Sequence, residues 1–374
     1  MNIYEKLGVK QYINAAATLT MYGGSIMSDE VIAAMKEASK SYIDIVDLHK
    51  KAGECIAKMT RNEAAFVPNG AAAGMMLATA AAIAGDDMDA RAKLPFSDGM
   101  KNEVIISQAG RVGYDYAIKM AGGKYVTYGD DNKGTAEQLE AAITNKTAAI
   151  FVFYFEHLMD NQPSFEAQVK IAKAHGIPLF VDAAAQLPMK ENLWRYTQEG
   201  ADLAIFSGGK GLRGPQASGL IVGKKCWVDK IRSIASPNPG LGRPMKVGKE
   251  EIIGLMTAIK LYMEHDENTL LASYENQVND VIKAFKNVSS VEVDRSFPSE
   301  AGQPMPRAQV TLKAGAFKVD AEAIGAQLKA GSPGILVAAN KNKNTIQINP
   351  QTLLEGEMDI IIDKLKEVLE VNRL

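Results

Sequence analysis

Apolar residues between positions 60 and 225 fall into short unbroken runs and do not alternate with polar ones. The runs are Ala64–Val67, Glu103–Ser107, Lys124–Tyr128, Ala148–Phe153, Pro178–Asp182, Leu203–Phe206 and Gly219–Val222. Unbroken apolar strands are buried on both faces, as in a sheet covered by helices above and below. Helix-like stretches lie between several of them. Residues 135–143 form one, and Ser164–His175 another, closed by Gly176 and Pro178. The repeat of strand and helix predicts an α/β fold: a three-layer, mostly parallel, seven-stranded sheet. Only a glycine-rich loop separates Leu203–Phe206 from Gly219–Val222. That loop is too short for a helical crossover, so this pair is expected to be antiparallel.

Further along, the pattern changes. Glu250–Glu264 reads as a long helix, Gln309–Leu312, Ile335–Ala338 and Thr345–Ile348 as strands, and Glu355–Val371 as a closing helix. These predict a smaller α+β domain. The expected division is a large domain over 46–265 and a small one over 266–374, joined by the N-terminal segment 1–45. Ser236–Arg243 is rich in proline and glycine and is a candidate functional loop.

Two residues at the strand ends suggest the chemistry. Asp182 closes one predicted strand, and Lys210 follows the next, inside Ser-Gly-Gly-Lys-Gly. Open α/β sheets bind ligands at the carboxyl ends of their strands, so both should face one crevice. Pyridoxal 5′-phosphate (PLP) needs a lysine for its imine and an acid beside its pyridine nitrogen. Partial desolvation would keep that lysine neutral enough to react. The first strand leads through Pro68 and Asn69 into an alanine-rich helix. Free amides at a helix start bind phosphate, so Gly70, Ala71 and Ala72 are candidates for the cofactor phosphate, with the Ser207 hydroxyl as a further donor. Each feature alone is commonplace; together, in this order, they fit PLP.

Composition removes competing classes. The 374 residues carry 42 Lys and Arg against 44 Asp and Glu, a net charge of −2. Nothing in that balance calls for a nucleic-acid partner. Cys55 and Cys226 are too few for a disulfide framework, and the four scattered histidines have no metal-binding spacing, so no metal is expected. The opening residues lack a basic-then-apolar signal segment. The most apolar stretch, Ala71–Gly85, falls short of the ~20 residues of a membrane span. A cytoplasmic protein without membrane contact is the expectation.

At these residues the sequence resembles the fold-type I PLP enzymes over nearly its whole length. More narrowly, it is similar to the branch containing bacterial selenocysteine synthase and its shorter relatives of the D-glucosaminate-6-phosphate ammonia-lyase type. FSGGKGLRGPQASGLIVG resembles that branch's lysine loop, and GRPMKVGKEEIIGL the segment after it. INAAATLT is similar to its opening motif, with Ala17 where the motif usually has glycine. The resemblance implies elimination of ammonia from a phosphorylated or unphosphorylated 2-amino sugar acid. Selenium transfer to an aminoacyl-tRNA, transamination and racemisation are its alternatives. It also implies a homodimer or larger homo-oligomer. Candidate substrate contacts are Thr18 and Thr20 in the opening motif, His157 after the Ala148–Phe153 strand, and Arg213, Arg243 and Lys246 in loops. Gln108 is a candidate for lying over the cofactor ring, alongside Arg111 and Tyr114. The strand TIQINP has Gln347 where many aminotransferases of this fold have an arginine for the substrate carboxylate.

Overall fold

The computed structural model describes residues 2–299 and 301–374, and the His157 side chain lies outside that description. The chain forms two compact units: Ser25–His265, and Met1–Gly24 together with Asp266–Leu374.

The larger unit is built on a seven-stranded sheet. Its strands are β2 (Ala64–Phe66), β3 (Glu103–Ser107), β4 (Lys124–Tyr128), β5 (Thr147–Phe153), β6 (Leu179–Asp182), β7 (Leu203–Ser207) and β8 (Gly219–Gly223). Their spatial order is β2-β8-β7-β6-β5-β3-β4. All neighbouring pairs are parallel except those made by β8, which runs antiparallel to both β7 and β2. The short glycine loop thus has the consequence expected of it. β5 is buried at every position, which explains its unbroken apolar run.

Two apolar layers cover the sheet. On one face pack the helices Ile45–Met59, Phe165–Ala174, Asn192–Glu199 and Lys249–Glu264, around Val152, Val181 and Phe206. On the other lie Gly70–Ala84 and Lys225–Ile234, around Phe153, Phe180 and Ile205. Each fully buried aliphatic or phenyl side chain contributes about 1.5–3 kcal/mol. The Gly70–Ala84 helix sits unusually close to the sheet. A Cβ at Gly74 would lie 2.9 Å from Cγ2 of Ile205, so small residues are required along this face.

The smaller unit has a five-stranded sheet, order β1-β11-β12-β10-β9. Its strands are β1 (Tyr12–Ala15), β9 (Val291–Ser296), β10 (Arg307–Leu312), β11 (Gly334–Asn340) and β12 (Thr345–Ile348). Only β1 and β11 pair in parallel. The N-terminal segment divides earlier than the sequence suggests. β1 belongs to this sheet, but residues 25–45 group with the larger unit. The cause is packing of the helix Asp29–Ala38 along Lys249–Glu264. Gly254 leaves room there for Met35, whose Cγ would meet a Cβ at 2.7 Å.

Candidate active site

Strand register decides which way the key side chains point. In β6, Asp182 pairs with Phe153 of β5 and Ile205 of β7. Laterally paired residues of adjacent strands share a face, and Phe153 and Ile205 both belong to the layer under the Gly70–Ala84 helix. Asp182 therefore projects from the sheet's carboxyl edge on that helix's side. It is 8% exposed. Burial pushes its carboxyl pKa up, while a 3.0 Å hydrogen bond from the Ala184 N–H and the charge of Lys210 oppose the shift. An acid so placed gains from a cationic neighbour, which a protonated pyridine nitrogen would be.

Lys210 lies in a tightly folded loop after β7. The Gly208 N–H donates to the Ser218 carbonyl and the Gly214 N–H to the Gly208 carbonyl, both at 2.9 Å. A Cβ at Gly209 would lie 2.4 Å from Gln216 Oε1, and one at Gly211 would lie 2.8 Å from Leu187 Cβ. Arg213 adopts a left-handed φ of 53° and donates its N–H to the Lys210 carbonyl at 3.0 Å. Burial lowers the Lys210 amine pKa, and Asp182 pulls it back up. Each group's charge thus acts on the other.

Above them starts the helix Gly70–Ala84. Some helices of this unit are capped by their own side chains, as where Asp44 accepts the Val46 and Asp47 N–H groups and Ser28 that of Val31, and others, such as Lys225–Ile234 and Lys249–Glu264, are not. Asn69 makes no such bond, so the first-turn amides have neither an intrahelical acceptor nor a side-chain cap. Gly70 has φ 83°, and its N–H is spent on the Pro68 carbonyl at 2.9 Å. It therefore contributes the turn, and Ala71 and Ala72 are left as the donors. Ser207 pairs with Gly219 of β8 and shares the face of Ile205 two residues earlier. A Cβ on Gly219 would lie 2.5 Å from the Gly70 carbonyl carbon and 2.9 Å from the Ala71 nitrogen. Register therefore puts the Ser207 hydroxyl on the side where this helix begins. Gly219 was not singled out from sequence, although a glycine opening an otherwise apolar strand signals close backbone approach. A buried acid, a half-buried amine beyond the next strand and a helix start without a side-chain cap thus lie at the carboxyl edge of one sheet.

The remaining candidates are dispersed. Gln108 follows β3, two strands from β6, and its Nε2 donates to Asp131 at 2.8 Å. Arg111 is engaged by Asp115 at 2.7 Å and lies over the Tyr125 ring at 4.6 Å; Tyr114 is exposed. His157 lies in the turn Glu156–Asn161, and its side chain is outside the described residues. Arg213, Arg243 and Lys246 are exposed. Thr18, buried, and Thr20, exposed, belong to the smaller unit. There Ala17 takes a left-handed φ of 76°, which accounts for glycine in the motif it resembles. In the same unit Gln347 accepts a 2.6 Å hydrogen bond from Nη1 of Arg307, on the adjoining strand. The arginine missing from TIQINP thus has a counterpart one strand away, where a search along β12 would not find it. Among the described residues no group of His, Cys, Asp and Glu is placed to hold a metal, and no helix is long and apolar enough to cross a membrane.

This sheet and this strand-end site define the class: the fold is that of the fold-type I PLP enzymes, as in a structure titled SPT with PLP internal aldimine, at TM-score 0.62 and 14% identity. The family profile described as "SelA: L-seryl-tRNA selenium transferase" matches residues 13–284, and the chain belongs to that family. It is 34% identical to D-glucosaminate-6-phosphate ammonia lyase of Salmonella typhimurium, over 99% of this chain and 98% of that one. A solved structure of D-glucosaminate-6-phosphate ammonia-lyase superposes with TM-score 0.87 at 33% identity, covering 100% of this chain and 99% of the other. The chain is also 30% identical to a 5′-C-glycyluridine monooxygenase-decarboxylase of a Streptomyces species, over 98% of this chain and 92% of the relative.

Proposed function

We propose that this chain is a PLP-dependent ammonia-lyase acting on a 2-amino sugar acid, phosphorylated at its far end. The observation that carries the PLP reading is the pairing of the half-buried Lys210 with the buried Asp182, each acting on the other's charge, at the sheet edge where a helix begins without a side-chain cap. The likeness to the ammonia lyase over almost the full chain selects the reaction. Lys210 would hold the cofactor's aldehyde carbon and Asp182 its pyridine nitrogen. Ala71, Ala72 and Ser207 would hold its phosphate. When bound, PLP supplies an electron sink for the amino-bearing carbon.

The chain's own groups then do the proton transfers. Burial favours the neutral Lys210 amine, which can take the C2 proton of the substrate. The resulting ammonium returns a proton to the C3 hydroxyl, which leaves as water. Water then replaces nitrogen at C2, so the products are a 2-keto-3-deoxy acid and ammonia with no net use of water. Arg213, Arg243 and Lys246 are the proposed cations for the carboxylate and phosphate, since guanidinium groups bind both through paired hydrogen bonds.

The family's description supports selenium transfer to aminoacyl-tRNA as a second reading. It would show as tRNA binding with steep salt dependence. A homo-oligomer is part of the proposal, because the larger unit exposes Tyr42, Ile43 and Val46 together, as is a cytoplasmic location. The deciding experiment is a screen of amino acids and amino sugar acids, with and without phosphate, in the absence of any keto-acid acceptor. Ammonia and keto acid in equal amounts from an amino sugar acid are expected. Ammonia from none of them, or only when an acceptor is added, overturns the lyase reading.

A further inference from the structure

The chain passes between its two units at two places, Gly24–Ser25 and His265–Asp266. At the first, two successive glycines, Gly23 and Gly24, take left-handed φ values of 88° and 73°. The next residue, Ser25, donates its hydroxyl to the Gly209 carbonyl at 3.0 Å, across 184 positions of sequence. That carbonyl belongs to the peptide bond leading into Lys210. The exit from the larger unit is fastened in a similar way. Lys190, in the loop that follows Asp182, donates to the Met263 carbonyl at 2.9 Å and to that of His265, and the Tyr262 hydroxyl bonds the Pro188 carbonyl.

We infer that Ser25 is a positioning residue for Lys210. A lysine between two glycines has little stiffness of its own, because glycine backbones range widely. Its two neighbouring carbonyls are held instead: that of Lys210 by the Arg213 N–H, and that of Gly209 by Ser25. The first clamp is local and survives any motion of the loop as a body. The second ties the loop to a segment that the sequence places far away, so it fixes where the whole loop sits. Removing it frees the lysine to wander from the place where it meets the cofactor.

The inference rests on the PLP reading, and the experiment separates the two. The parent, Ser25→Ala and Ser25→Thr are purified and loaded with PLP. Release of PLP to a scavenging apo-enzyme is timed, and the visible cofactor band is titrated against pH. Amide hydrogen exchange of residues 207–216 is measured on the cofactor-free proteins. A neutral hydrogen bond is worth roughly a fivefold change in equilibrium. Ser25→Ala should therefore release PLP roughly fivefold faster, shift the band's titration midpoint and exchange faster in that segment. Ser25→Thr, which keeps the hydroxyl, should restore all three. A generally structural role for Ser25 would lower thermal stability without moving the band's midpoint. An unmoved midpoint and release rate in Ser25→Ala would overturn the inference while leaving the PLP reading intact. A parent without any visible band would overturn both.

Discussion

His49 should make this protein lose stability in mild acid. It lies in the helix Ile45–Met59, is 4% exposed, and stacks on Phe66 with ring centroids 4.6 Å apart. Among the described residues its Nδ1 has no hydrogen-bond partner. Burial, with the Arg232 cation adding to it, lowers its pKa from 6.5 to about 4. Between these values the unfolded chain binds a proton that the folded chain refuses. Stability therefore rises with pH through this window: the contribution is complete above about 6.5 and is lost as pH falls toward 4. At about pH 5.5 the unfolded state is favoured by about 1.3 kcal/mol relative to about pH 7.5, and by about 3 kcal/mol once both states are protonated. The perturbation is His49→Leu, which keeps an apolar stack on Phe66 and removes the titration. Urea unfolding of parent and variant at the two pH values, at equal cofactor content, gives the difference of differences. Other titrating groups cancel in it. The parent should lose about 1.3 kcal/mol more than the variant. Parallel loss in both proteins would show that His49 is solvated or paired when folded, and the burial argument would fail.

Three further outcomes follow from the site. Asp182→Asn keeps the shape but not the charge, so turnover should fall at least about tenfold, or about 1.4 kcal/mol, with far less change in cofactor content; near-normal turnover would remove Asp182 from the cofactor's nitrogen. Gly219→Ala puts a methyl carbon 2.5 Å from the Gly70 carbonyl carbon and should weaken PLP binding measured by equilibrium dialysis, whereas unchanged affinity would mean the phosphate lies elsewhere. Arg213→Ala and Arg243→Ala should each lower catalytic efficiency roughly tenfold to a hundredfold, as expected for charge-assisted contacts of about 1.5–3 kcal/mol. The loss should be larger on a phosphorylated amino sugar acid than on its unphosphorylated counterpart for whichever arginine meets the phosphate; equal, small losses on both substrates would exclude both residues from that role.

What was legible in the sequence was set by the range of the physics involved. The strands of the larger unit were readable because burial on both faces leaves no polar alternation; β5, buried at all positions, is the extreme case. In the smaller unit, β9 escaped notice because it is an edge strand, Val-Glu-Val-Asp-Arg-Ser, with only Val291 fully buried. The division near residue 45 was misplaced because the partner of Asp29–Ala38 is a helix more than 200 positions later, and only packing at Gly254 reveals it. The site shows the same limit. Asp182 and Lys210 could be proposed from local order, strand end and glycine loop. Which side of the sheet Asp182 faces is a matter of register, and register needs the partners Phe153 and Ile205. Gly70 was assigned a phosphate-binding amide from its place at a helix start, yet its left-handed turn commits that amide to Pro68. Sequence order can say that a helix begins here; it cannot say which of the first N–H groups the turn has already used. For the same reason Ser25 had no signal at all. A serine in a glycine-rich stretch is ordinary, and what distinguishes it is a single bond to the carbonyl beside Lys210. Catalytic groups are visible because their chemistry restricts residue type, whereas the residues that hold them in place are restricted only by where the chain returns.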